Sequence, residues 1–170
     1  SFLLIYLFYL YIDLVKEEKL LKYAVEYLSK YDSSKNNLIN VLKRKIFRLK
    51  VDSVEKNNLM SSINRIIQKL ENANLLDDNK YTLSKIASLS SSAKSKSFIF
   101  NYLIKKGINK FDVENNFEIF KASNCDWELN SAKLFVRKKN LNSSNKSYEK
   151  KLAKMARAGF KYEICKKVLD

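Results

Sequence analysis

Residues 103–108 read LIKKGI, and residues 155–160 read MARAGF. In each stretch a helix-forming segment runs into a glycine, Gly107 or Gly159, and an apolar residue follows at once. Glycine adopts the left-handed conformation that ends a helix without steric cost, and the apolar residue after it packs back against the helix. The two stretches therefore predict a helix that stops at each glycine and another that begins soon after.

These are the only glycines among 170 residues, and the chain contains neither proline nor histidine. Tight β-hairpin turns rely on Gly, Pro and Asn-Gly, so a turn-rich β-sandwich is improbable. Apolar residues recur at helical spacing from about residue 14 onward. We therefore predict an all-α fold.

Polar residues that can cap helices separate the apolar stripes. A serine-rich break at residues 90–95 and a polar loop at residues 140–146 add two further boundaries. The candidate caps are Ser33 or Ser34, Asp52 or Ser53, Asp77 or Asp78, and a start near Asp112.

Each glycine closes the middle helix of a helix–helix–Gly–helix unit. An earlier unit lacks the glycine, and a longer connection, Phe47 to Val51, stands in its place. Units of this kind cover each other's apolar faces in a helical solenoid. We predict three tandem three-helix repeats, at residues 17–78, 79–123 and 124–170, preceded by an apolar segment at residues 1–16.

The apolar segment contains eleven residues without a charge, Phe2 to Ile12. A membrane-spanning helix needs about 20 such residues. Three interpretations stay open: a buried helix or strand that covers the first helices, a truncated membrane or signal segment, or non-native upstream translation.

The chain carries 33 basic and 18 acidic residues, which gives a net charge of +15. Such an excess favours a polyanionic partner: nucleic acid, an acidic protein surface or anionic lipid. Lysines outnumber arginines, and lysine contacts phosphate as a point charge instead of reading base edges. Any binding to single- or double-stranded DNA should therefore be salt-sensitive and only weakly sequence-specific.

The basic residues recur in clusters, several of them at the ends of second-position helices. Recurrence at equivalent places favours one shared binding face over a merely solvated surface. The clusters are Lys43, Arg44 and Lys45; Lys94 and Lys96; Lys105 and Lys106; Arg137, Lys138 and Lys139; and Lys150, Lys151, Lys154 and Arg157.

Catalysis is not indicated. The absence of histidine excludes Ser-His-Asp triads, Cys-His pairs and HExxH zinc sites. Cys125 and Cys165 lack CxxC spacing and suit a reducing compartment, with Cys165 a small core residue. Asp77 and Asp78 are better read as helix caps than as a metal or catalytic pair. We predict no enzyme activity, no cofactor, no metal and no small-molecule substrate.

The arrangement resembles the RecX family of bacterial regulators of the RecA recombinase. The similarity covers about residues 17–170, and its most recognisable part is a Leu-Asp-Asp followed by an aromatic residue. Lysines stand where the family has arginines, and the first repeat has a longer loop. The matching stretches are Tyr23 to Leu28 with Ser34 and Leu38 to Leu42; Leu70 with Asn74 to Tyr81; and Ile99, Leu103 and Lys105 to Ile108 with Lys150, Lys151, Ala156 to Phe160, Val168 and Leu169.

The resemblance implies an elongated, curved, cytoplasmic solenoid, taken to be a monomer, that binds RecA–DNA filaments. Family members limit filament growth, strand exchange, ATP turnover and co-protease activity, and so act in recombination, DNA repair and the SOS response. The resemblance also implies a set of structural motif residues: Asp77, Asp78, Tyr81, Gly107, Gly159 and Phe160.

Two other functions stay open from the residues alone. A general basic helical protein could bind DNA or RNA with no recombinase partner, since charge alone attracts both. A peripheral membrane protein could use Phe2–Ile12 as its anchor.

Overall fold

The computed structural model describes the backbone of residues 2–142 and 147–170, and their side chains from residue 14 onward. These ranges contain nine helices and no strand, so the predicted all-α class is confirmed. The helices are α1 (Phe2–Lys30), α2 (Lys35–Phe47), α3 (Ser53–Asn72), α4 (Asp78–Ser91), α5 (Lys96–Lys105), α6 (Lys110–Ser123), α7 (Trp127–Lys138), α8 (Tyr148–Arg157) and α9 (Tyr162–Leu169).

The chain divides into two compact units, residues 1–78 and 79–170. In the first, the buried faces of α1, α2 and α3 meet in one hydrophobic cluster. The second contains two clusters, one formed mainly by α4, α5 and α6 and one by α7, α8 and α9. Each cluster therefore gathers three consecutive helices, while the division into three repeats stays a prediction.

Four of the described helices have a polar N-cap residue whose side chain caps the helix. In each, an oxygen at the N-cap accepts a hydrogen bond from the backbone N–H three residues on, which pairs a donor left free in the first turn. Asn109 caps α6, which begins at Lys110, close to the predicted start near Asp112. The cap pairs are Ser34 with Asn37, Asp52 with Glu55, Ser95 with Phe98, and Asn109 with Asp112.

Both glycines end helices in the predicted way. Gly107 and Gly159 have φ of +83° and +85°. The residue after each donates its N–H to the carbonyl five residues back, Ile108 to Leu103 at 3.2 Å and Phe160 to Met155 at 3.2 Å. This is the Schellman arrangement. The same left-handed turn ends three other helices without a glycine, at Asn74, Ala93 and Asn140.

The backbone of the apolar stretch Phe2–Ile12 is helical and continuous with the rest of α1. Across the part of the chain that the structure describes, no helix combines enough length with enough apolar character to cross a bilayer. Of the predicted polar loop at residues 140–146, positions 143–146 lie outside the described residues.

Candidate partner-binding surface

The positive charge is unevenly divided between the two units. Residues 1–78 carry 13 basic and 10 acidic side chains, whereas residues 79–170 carry 20 basic and 8 acidic side chains. Net charges of +3 and +12 follow. The second unit is therefore the stronger electrostatic attractor for a polyanion.

Ion pairs occur in both units. In the first unit Lys16 pairs with Glu55, and Lys35 with Glu71. In the second, Lys110 lies 3.8 Å from Glu114 within α6. Within residues 124–142 and 147–170, no side chain takes part in an ion pair. Among the described residues, no cation of α7 or α8 is therefore paired with a carboxylate.

In the first unit, Glu17 forms hydrogen-bonded ion pairs with two cations. Its carboxylate is largely buried and accepts hydrogen bonds from Arg65 Nη2 at 2.7 Å and Lys69 Nζ at 3.1 Å. The hydrogen bond from Arg65, more than any other interaction, lowers the pKa of Glu17 below its usual value. These two cations on α3 are engaged in joining α3 to α1.

The predicted cluster on α8 forms a stripe opposite the buried side of its helix. Lys150, Lys154 and Arg157 recur at spacings of four and three residues, which places them on one helix face. Met155 is buried on the other side, against the third hydrophobic cluster. Lys150 and Arg157 are exposed, and Lys151 and Lys154 are half-buried. One face of α8 therefore packs against the core, and the opposite, cationic face points outward.

The clusters on α7 and α2 lie at helix C-termini. Arg137, Lys138 and Lys139 are exposed at the end of α7, and Lys43, Arg44 and Lys45 are exposed near the end of α2. Cations at this end of a helix interact favourably with its dipole, by about 0.3–1 kcal/mol each. Their placement therefore has a stabilising reason as well as a possible binding role.

Three of the predicted binding residues, Lys94, Lys96 and Lys106, are half-buried and contact aromatic rings. Their ammonium groups lie over aromatic rings, Lys94 over Phe98 at 4.6 Å and Lys96 over Phe117 at 5.0 Å. Lys106 lies 5.6 Å from the ring centroid of Tyr102, and its neighbour Lys105 is exposed. The cation–π contacts give these side chains a packing role that the sequence clusters did not indicate.

A cleft of about 280 Å³ in the second unit is lined by cations outside the clusters predicted from the sequence. Lys96 lines it together with Lys121, Lys161 and Lys167, and the carboxylates of Asp126 and Glu128 face the same cleft. These three lysines come from α6, the α8–α9 connection and α9. They are isolated or paired in sequence, so only the folded chain brings them together.

The Leu-Asp-Asp motif lies where α4 begins. Asp78 is the first residue of α4, and its Oδ1 accepts a 2.7 Å hydrogen bond from the backbone N–H of Lys35, the first residue of α2. Asp77 is half-buried beside it. Tyr81 is buried, with the ammonium of Lys85 5.2 Å from its ring centroid. The carboxylate of Asp78 therefore serves the N-terminus of α2, a role that its sequence position does not reveal.

The remaining candidates for chemistry are the two cysteines and the side chains that can bind a metal ion. Both cysteines are free, Cys125 exposed and Cys165 buried as predicted. Burial raises the pKa of the Cys165 thiol. Among the described residues, no group of three His, Cys, Asp or Glu side chains is placed to hold a metal ion.

Comparisons with known proteins give one consistent result. The regulatory protein RecX of Myxococcus xanthus (strain DK1622) is 30% identical to the chain over 155 residues, which covers 86% of this chain and 82% of that protein. No protein-family model matches the chain.

Two solved structures share the fold. The crystal structure of RecX from Lactobacillus salivarius superimposes with a TM-score of 0.66 at 18% identity, over 90% of this chain and 94% of that one. A second crystal structure of regulatory protein RecX gives a TM-score of 0.68 at 18% identity, over 92% and 73% of the two chains.

Proposed function

The chain belongs to the RecX family of regulatory proteins, and we propose that it binds RecA–DNA filaments and inhibits RecA. The inhibited activities are recombination, ATP turnover and the co-protease function of the SOS DNA-damage response. The observation that carries the proposal is the outward stripe of Lys150, Lys154 and Arg157 on α8, whose cations have no acidic partner among the described residues.

The electrostatics of this surface suit a nucleoprotein filament. A filament presents phosphates together with protein carboxylates along its length, and both attract unpaired lysines. The exposed end of α7, with Arg137, Lys138 and Lys139, adds three more cations in the same unit. We propose that α7 and α8 supply the main contact, and that Lys43, Arg44 and Lys45 of α2 contribute a second one.

The proposed action is binding without catalysis. A protein that regulates RecA by occupying the filament needs no nucleophile or metal. The chain also has no histidine to serve as a general base at neutral pH. We place the protein in the cytoplasm with the DNA that RecA coats. Free thiols at Cys125 and Cys165 are compatible with that reducing compartment.

A titration tests the proposal. RecA is assembled on single-stranded DNA, its ATPase rate is followed, and the protein is added from far below to above the RecA concentration. Inhibition at substoichiometric amounts supports a filament regulator, because each bound molecule then affects many RecA protomers. An unchanged ATPase rate at equal concentrations of the two proteins would contradict it.

A general polyanion-binding protein is the second candidate, favoured by the net charge of +12 on residues 79–170. Such a protein would compete with RecA for the strand. It would inhibit only at amounts that saturate the DNA, and the effect would disappear when excess DNA is added. The same titration therefore separates the two functions.

A further inference from the structure

The connection between α2 and α3 differs from the two connections that contain glycine. In those, the residue directly after the glycine, Ile108 or Phe160, is buried and belongs to the hydrophobic cluster of its own three helices. The α2–α3 connection, residues 48–52, has no glycine, and its apolar residues Leu49 and Val51 are only half-buried. The α2–α3 connection therefore lacks the buried apolar residue that follows the glycine in the other two connections, and an open space lies beside it.

The open space is a cleft of about 220 Å³ between α1, the α2–α3 connection and α3. Leu20 and Leu59 form its floor and are both buried, while Tyr23, Leu49 and Val51 form its sides. Pockets for small-molecule ligands usually measure about 300–1,000 Å³. This smaller cleft has room for one large apolar side chain.

Charged side chains surround the apolar floor. The rim consists of Lys16, Lys19, Lys45 and Glu55, a net charge of +2. Lys16 is paired with Glu55 at 2.6 Å. Among the described residues, neither Lys19 nor Lys45 has a carboxylate within ion-pair distance. Both are exposed, so two unpaired cations stand at the edge of an apolar opening.

We propose that this cleft binds an acidic segment of a protein partner. The segment inserts one large apolar side chain between Leu20 and Leu59, and its carboxylates contact Lys19 and Lys45. Apolar burial supplies affinity, and the lysines select the charge. This inference holds whether or not the partner is RecA, since any protein with such a segment meets the requirement.

The floor favours a peptide over nucleic acid. A nucleic acid would supply charge for the lysines, but it gains little from an aliphatic floor and binds instead through stacking on aromatic faces. Among the described residues, Tyr23 is the one aromatic side chain that lines the cleft, and the ammonium of Lys45 already lies over its ring, 4.8 Å from the centroid. A peptide with an apolar anchor matches both the floor and the rim.

Fluorescence anisotropy with the full chain tests the inference. The probe is a short fluorescein-labelled peptide of aspartates around one central phenylalanine, and the control peptide has serine in place of the phenylalanine. Burial of a phenylalanine side chain is expected to give about tenfold or more tighter binding of the probe. Val51→Asp and Lys45→Glu should each weaken the probe about tenfold, whereas Lys22→Glu, an exposed site on α1 outside the cleft, should change it less than about twofold.

Three results would overturn the inference. Equal affinity for the two peptides would show that no apolar anchor is bound. Equal weakening by Lys45→Glu and Lys22→Glu would show general attraction to a basic chain. A single-stranded oligonucleotide that displaces the probe, and that itself binds more weakly to Val51→Asp, would assign the cleft to nucleic acid. Circular dichroism checks the fold of each variant, and the exposed Lys45 supplies the test if Val51→Asp unfolds.

Discussion

Ser95 joins the start of α5 to the end of α8. Its hydroxyl oxygen accepts the N–H of Phe98 at 3.2 Å, and the same hydroxyl donates to the carbonyl oxygen of Ala158 at 2.7 Å. Ser95 is fully buried, and Ala158 is the C-cap of α8. One side chain thus pairs a free donor at one helix start with a free acceptor at another helix end, 63 residues apart.

Ser95→Ala should lower the free energy of unfolding of the second unit by about 2 kcal/mol. The lost cap accounts for about 1 kcal/mol, and the half-buried carbonyl of Ala158 left without its donor accounts for about as much. Urea unfolding followed by fluorescence of Trp127 measures the change, because this sole tryptophan is stacked on Phe117 inside the second unit. Ser147→Ala is the control, since Ser147 begins α8 without a side-chain cap bond. Equal losses in the two variants would contradict the double role of Ser95.

Gly159→Ala should destabilise the second unit more than Gly107→Ala. Both glycines have φ near +85°, so an alanine at either position carries left-handed strain of about 1–2 kcal/mol. At Gly159 the added Cβ would also lie 2.7 Å from Ser95 Oγ and disturb the bond to Ala158. The same tryptophan-monitored unfolding gives both values. A cost at Gly159 no greater than the cost at Gly107 would show that the Ser95 hydroxyl moves aside freely.

Glu17→Gln should lower stability at neutral pH by about 1 kcal/mol, because charge-assisted hydrogen bonds from Arg65 and Lys69 become neutral ones. Folding lowers the pKa of Glu17, so its contribution is complete above the ordinary value of 4.5 and is lost as the pH falls through the lower folded-state pKa. The difference in urea midpoint between wild type and variant, followed by circular dichroism from pH 7 to pH 3, should therefore shrink toward zero. The exposed Glu18→Gln supplies the control, and a difference that stays constant across this range would exclude the ionised pair.

Neutralising the α8 stripe should reduce the salt dependence of DNA binding. Each lysine or arginine that contacts a phosphate of single-stranded DNA contributes about 0.7 to the slope of log K against log salt, so Lys150→Gln, Lys154→Gln and Arg157→Gln together should reduce its magnitude by about 2. Anisotropy with a labelled oligonucleotide at several salt concentrations measures the slope. The combined Lys22→Gln, Lys30→Gln and Lys50→Gln variant removes the same charge from exposed sites outside the predicted clusters. An equal reduction in that variant would mean that overall charge and not the stripe governs binding.

Local signals in the sequence predicted most of the helix boundaries. Gly107, Ser34 and Asp52 each act on backbone groups within a few residues, so composition and spacing placed the glycine and narrowed each cap to two neighbouring residues, Ser33 or Ser34 and Asp52 or Ser53. For α6 the sequence indicated only a start near Asp112, and its cap, Asn109, was not singled out. Ala93 and Asn140 adopt the left-handed turn without the glycine that would have marked it.

Long-range partners were not predictable in the same way. Nothing in the spacing indicates that Ser95 meets Ala158, or that Glu17 meets Arg65 from another helix. The same distinction between local and long-range signals applies to the candidate binding surface. The outward stripe of α8 follows from helical periodicity, whereas the aromatic rings under Lys94 and Lys96 depend on how helices pack in three dimensions.

RecA ATPase inhibition by a charge-reversed stripe tests the central proposal most directly. The combined Lys150→Glu, Lys154→Glu and Arg157→Glu variant is compared with Lys22→Glu, Lys30→Glu and Lys50→Glu, which changes the net charge equally, after circular dichroism confirms that both are folded. We predict that the concentration for half-inhibition rises about tenfold or more in the α8 variant and less than about twofold in the other, because like charge at a contact costs more than like charge elsewhere. Equal inhibition by the α8 variant and the wild type would contradict the assignment of α8 as the contact.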